Sequence, residues 1–154
     1  MEQQNDVSKV ISRTALIENL LNQIILKYSS PRKEAFQFFW DVLLDSSIMP
    51  LGSKVKVVMA ITQNLGGKLN STPIHKVISL RNAFAHHDIN AHATIAVGKT
   101  PEEDESYYML QIITQSGKVD RKRREDALEE FNINYKLAKE ALVKLKDLLE
   151  NKFT

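Results

Sequence analysis

The chain has 154 residues, 43% of them hydrophobic and 26% charged, which allows one packed core and excludes a disordered tail or a membrane-embedded chain. A formal charge of +2 is too mild to argue for nucleic acid by itself, so local clustering has to decide. There is no cysteine, which rules out disulfides, thiolate metal sites and Cys nucleophiles and leaves His, Arg, carboxylates and hydroxyls for any chemistry.

From Val7 to Tyr28, Val7, Val10, Ile11, Ile17, Leu20, Leu21, Ile24, Ile25 and Tyr28 recur at three-and-four spacing, the buried face of a first helix. Ser30-Pro31 supplies an N-cap hydroxyl and a proline at the first helical position, so a second helix is expected with Ala35, Phe38, Phe39, Val42 and Leu43 inward. After Met49-Pro50-Leu51-Gly52, the residues Val55, Val58, Met59, Thr62 and Leu65 mark a third helix that closes at Gly66-Gly67. Thr72-Pro73 opens a fourth, with Ile74, Val77, Ile78, Phe84 and Ala85 as its apolar arc.

The period then changes to two. Ala93, Ile95 and Val97 alternate with polar or small residues, and Tyr107 to Thr114 is aromatic and β-branched, so a β-hairpin insertion is expected at about 92–117. Its acidic connection, 98–106, reads as a solvated loop without a catalytic role. Ser116-Gly117 is expected to turn the chain into the last helix, where Leu128, Phe131, Tyr135, Ala138, Leu142, Leu145 and Leu149 form a seam against helices one and two. The fold expected is a single, mainly α domain over 1–154, a bundle of about five helices with a β-hairpin inserted before the last. No apolar run approaches the roughly 20 residues that span a bilayer, and the first six residues lack signal-peptide order, so a cytoplasmic protein is expected.

Helix four carries the chemistry. On a wheel of about 100° per residue, Arg81 falls near the middle of the apolar arc, where a guanidinium must meet a carboxylate, an anion or a wet interface. Beside the arc, His75, Ser79, Asn82 and His86 form a polar stripe at steps of four, three and four. A bland reading pairs Arg81 with Asp41 or Glu34 and leaves His86 to cap the helix end.

Arg81-Asn82-Ala83-Phe84-Ala85-His86 resembles the signature of the HEPN superfamily, an Arg followed after four to six residues by His, with Asn commonly after the Arg. The layout, with the motif on a late helix of a bundle and a long closing helix, is similar as well. The resemblance implies a HEPN-like homodimer whose motif helices meet around a twofold axis and cleave RNA without a metal or other cofactor. Catalytic residues would be Arg81, Asn82 and His86, supported by His87, Ser79 and His75; for such a cleavage His86 would move the proton near neutral pH, Arg81 would meet the charge on the phosphoryl oxygens, and Asn82 would fix the ring or hold a phosphate oxygen. It further implies a toxin of a toxin–antitoxin or phage-defence pair, with an antitoxin as candidate partner. Some HEPN-like proteins, including relatives of the mannitol operon repressor, instead act as non-catalytic interaction or regulatory modules. Residues five apart diverge by roughly 140° on a straight helix, so two copies converge on one site more readily than one.

Two further clusters compete. His86, His87, Asp88 and His92 would suit zinc, but the chain lacks a spacing such as His-Glu-x-x-His, and no metal site is expected. Arg121-Lys122-Arg123-Arg124 is the densest basic run, placed at the start of the last helix; it reads as a solvated face first and as an RNA contact second.

Overall fold

In the computed structural model, residues 2–86, 93–96 and 105–152 are described, with side chains at 5–86 and 109–152. Helix α1 (Glu2–Ser29) buries Val10, Ile17, Leu21 and Ile24 completely along one face. Ile11 does not join them: it lies about 100° round from Val10, past the edge of the arc, and is exposed. Ser30 ends the helix rather than starting the next. Its backbone is left-handed, φ 43°, and its N–H donates to the Leu26 carbonyl at 2.9 Å, which closes the last turn of α1.

The second helix differs from expectation. The chain winds as a 3₁₀ turn at Lys33–Ala35, a single α-turn, α2 (Phe36–Phe38), and a π turn at Phe39–Leu43, without a side-chain cap at any of the three starts. Each change of winding rotates the next side chains off a 3.6-residue stripe, so the expected inward face never forms. Ala35, Phe38 and Val42 are exposed and Leu43 is half-buried; of the expected residues Phe39 packs against the core, half-buried, and Leu44, just beyond, is fully inside it.

Helix α3 (Leu51–Asn64) turns Val55, Val58, Ile61 and Thr62 inward and closes as expected, with Gly66 at φ 78° and the Gly67 N–H on the Thr62 carbonyl. Met59 is exposed. Helix α4 (Thr72–His86) begins where Asn70 Oδ1 accepts the Thr72 N–H at 3.2 Å.

The expected antiparallel hairpin precedes the last helix, and a third strand extends it. Strand β1 (Ala93–Ala96) pairs with β2 (Glu105–Ile113), and β2 pairs with β3 (Val119–Arg123), in the order β1-β2-β3. Ser116-Gly117 therefore turns the chain into a strand and not directly into a helix. The backbone of Val119–Arg123 is claimed by β2, with Leu110 opposite Lys122 and Ile112 opposite Asp120, and this pairing outweighs the helical preference of Lys and Arg. Most of the expected acidic connection lies outside the described residues, while Glu105 and Ser106 belong to β2.

Leu110 and Ile112 point from the inner face of the sheet into the core, against α4 and α5. Helix α5 (Arg124–Lys152) buries Ala127, Phe131, Ala138, Leu142, Leu145 and Leu149. Its main neighbours are α1 and α4; the second helix, wound irregularly at the surface, does not supply the groove expected of it. Arg13 fastens α1 to α5, its guanidinium 5.2 Å from the Tyr135 ring centre and bonded to Asn132. Among the described residues no helix is long and apolar enough to cross a membrane.

Candidate functional site

Helix α4 buries Pro73, Ile74, Val77, Leu80, Ala83 and Phe84. The centre line of this face is Pro73, Val77, Leu80 and Phe84, at steps of four, three and four, so Arg81 lies roughly 60° to one side of it. That corrects the placement of Arg81 amid the apolar arc: Leu80 occupies the centre, Ile78 is half-buried and Ala85 is exposed. The missed signal was Leu80 itself, which continues the Pro73–Val77 spacing.

Arg81 is half-buried at the border of the polar stripe, and its Nη1 donates to Asn82 Oδ1 at 3.1 Å. Among the described residues no carboxylate comes within ion-pair distance of it. Neither bland partner is in place: Asp41 accepts a hydrogen bond from Gln37, and Glu34 sits in the exposed 3₁₀ turn. Asn82 and His86, one turn apart at the end of α4, are both exposed. Asn82 thus turns the guanidinium toward the stripe that ends in His86. His87 lies outside the described residues.

The other two stripe residues, His75 and Ser79, are half-buried and line a cavity of about 510 Å³ between α3, α4 and the inner face of β2 and β3. Burial, and secondarily the nearby Lys56, hold the His75 imidazole below its ordinary range, so the ring is neutral at neutral pH. On the far wall, Glu130 accepts from Lys76 at 2.8 Å and from Lys122. Burial raises the Glu130 carboxyl, but the hydrogen bonds from Lys122 and Lys76 outweigh it and keep the group below the usual carboxylate range. Lys122 is correspondingly raised, chiefly by its bond to Glu130.

The basic run is divided by strand alternation. Arg121 and Arg123 are exposed on the outer face of β3, whereas Lys122 points inward to Glu130 and lies 3.8 Å from Asp120. Arg124 leaves the solvent altogether: 7% exposed, it stacks over the Phe84 ring at 4.9 Å and lies 3.9 Å from Asp6. The buried guanidinium anticipated on α4 is therefore found at the first residue of α5. Arg121 and Arg123 face away from the α4 stripe, so the run does not form one basic surface with it. Among the described residues no group of three ligand-type side chains is placed to hold a metal; His87, Asp88 and His92 lie outside them.

Comparison with known proteins found no match to the chain, whether among family models, curated proteins or solved structures.

Proposed function

We propose that the protein is a metal-independent endoribonuclease of HEPN type, acting as a homodimer on RNA in the cytoplasm, with Arg81, Asn82 and His86 as its catalytic set. The observation that carries this reading is the state of Arg81: a permanent cation with no carboxylate partner among the described residues, hydrogen-bonded to Asn82, which itself stands one turn before the exposed His86. Arg124, by contrast, is buried over Phe84 and lies 3.9 Å from Asp6.

In the proposed reaction the ribose 2′-oxygen attacks the adjacent phosphorus. The O2′–P bond forms, the P–O5′ bond breaks, His86 takes the 2′-hydroxyl proton, and the 5′-oxygen leaves with a proton taken from water. Arg81 stabilises the charge that builds on the phosphoryl oxygens. The products are a 2′,3′-cyclic phosphate and a 5′-hydroxyl. Arg81 and His86 of one protomer diverge along the helix, and a twofold axis beside the last turn of α4 would bring two sets together. An antitoxin is the natural regulator of such an enzyme.

The test is cleavage of mixed RNA by purified protein with and without a chelator. Arg81→Ala, at a half-buried position, and His86→Ala, at an exposed one, should each lower cleavage by about a hundredfold or more with an unchanged circular dichroism spectrum. Full activity in both variants would overturn the assignment.

One observation favours a second reading, a partner-binding or regulatory module. Phe36, Phe38, Val42 and Ile48 are all large, apolar and exposed within one short stretch. Under that reading purified dimer leaves RNA intact and binds a protein through this stretch.

A further inference from the structure

The cavity beside His75 has the size of a small-molecule site and an uneven lining that specifies its occupant. Its apolar lining is Met59, which is 39% exposed, with Leu80 and Ile112 almost fully buried behind it. One wall carries His75 and Ser79 of the α4 stripe. The neutral imidazole there offers one donor and one acceptor, and the hydroxyl offers both. At the mouth stands Lys56. Lys76 and Lys122 are held by Glu130, but Lys56 has no ion pair among the described residues and is exposed. The cavity therefore combines an apolar bed, a short row of uncharged hydrogen-bonding groups and one uncommitted cation, with the Asp120 carboxylate of β3 3.8 Å from Lys122.

We infer that this cavity is a subsite for an unpaired nucleoside phosphate, its base lying against Met59 with its edge toward His75 and Ser79, and its phosphate at Lys56. A nucleobase matches the apolar bed with a flat, weakly hydrated face and matches the wall with its edge donors and acceptors. The phosphate matches an ammonium that has no ion pair among the described residues. The choice of ligand rests on the ribonuclease reading, because His75 and Ser79 share the α4 face with Asn82 and His86. A strand laid along that face passes from the proposed scissile phosphate to the cavity. The occupant is accordingly a nucleotide of the substrate strand that lies away from the cleaved bond.

Two probes distinguish the sources of such a group: an uncleavable 2′-O-methyl oligoribonucleotide and a free nucleoside 5′-monophosphate, each followed through the His75 ring signals by NMR and through anisotropy or competition. The oligonucleotide should shift the His75 signals. Lys56→Ala should weaken its binding roughly tenfold and reduce the salt dependence by about one counterion. His75→Phe, which keeps a ring in place, should weaken binding without lowering the melting temperature. Shifts caused by the monophosphate alone would keep the subsite and identify a free nucleotide as its occupant. If neither probe moves His75, or if Lys56→Ala binds as the parent does, the subsite is disproved. The outcomes separate cleanly: cleavage with a silent His75 removes the subsite and keeps the nuclease, whereas binding at His75 without any cleavage does the reverse.

Discussion

His75 and His86 stand three turns apart on one face of α4, in unlike surroundings. His86 is exposed at the helix end, whereas His75 is half-buried, with Lys56 nearby. Burial is the larger cause of the low His75 pKa and the Lys56 charge the smaller, so the two are separable by mutation. In the parent protein His75 should titrate below a free imidazole, and in Lys56→Ala its midpoint should rise part of the way back, as followed by NMR. A midpoint unmoved by the substitution would show that Lys56 does not face the ring. The sign for stability follows from proton binding. Between the depressed folded value and the ordinary imidazole value the unfolded chain binds more protons, so the contribution of His75 is complete above that window and is lost as pH falls through it.

At the scale of elements, the least expected residue is Lys54. It lies in the middle of the buried face of α3, between Ile61 and Val58 on the wheel, and its side chain is 1% exposed. Glu18 of α1 takes its ammonium, and Ser46 donates to the same carboxylate oxygen. Removing the carboxylate strands a desolvated charge, while replacing the lysine with an apolar chain of similar length removes the need for a partner. Glu18→Ala should therefore cost about 3 kcal/mol in urea unfolding, and Lys54→Met should lie within about 1 kcal/mol of the parent or above it. Equal losses in both would mean that the ammonium is solvated. The same comparison shows what sequence spacing conveys. Helices α1, α3, α4 and α5 were legible because one apolar stripe at 3.6-residue spacing runs through each, and the hairpin because its period is two. Lys33–Leu43 was not, because its winding changes twice within eleven residues while the stripe argument assumes constant pitch. Strand β3 was not, because Arg121, Lys122 and Arg123 have no apolar alternation of their own and take strand form from β2.

For the whole molecule, the division falls between a site written in one helix and a site written in five elements. Arg81, Asn82 and His86 could be singled out by residue type and spacing alone. The cavity could not, since Lys56, His75, Ile112, Lys122 and Glu130 are brought together only by long-range packing. Glu130 is the residue that ties these parts together, reaching from α5 to Lys76 on α4 and to Lys122 on β3, and so holding the sheet against the bundle. Its depressed pKa makes this bridge pH-dependent with a definite sign. The stabilisation is complete above the ordinary carboxylate range and is lost as pH falls through the depressed folded value. Lys122, being raised, contributes below the ordinary lysine range and loses its contribution as pH climbs through its own raised value. The lysines on either side are partly exposed, which limits the bridge to about 1 kcal/mol. Glu130→Gln should thus unfold earlier in urea at about pH 7 and should show a smaller deficit at acid pH, as the parent's carboxylate takes up its proton. A deficit of the same size at both pH values would mean that the side chain acts through packing, and that its charge does not hold the sheet in place.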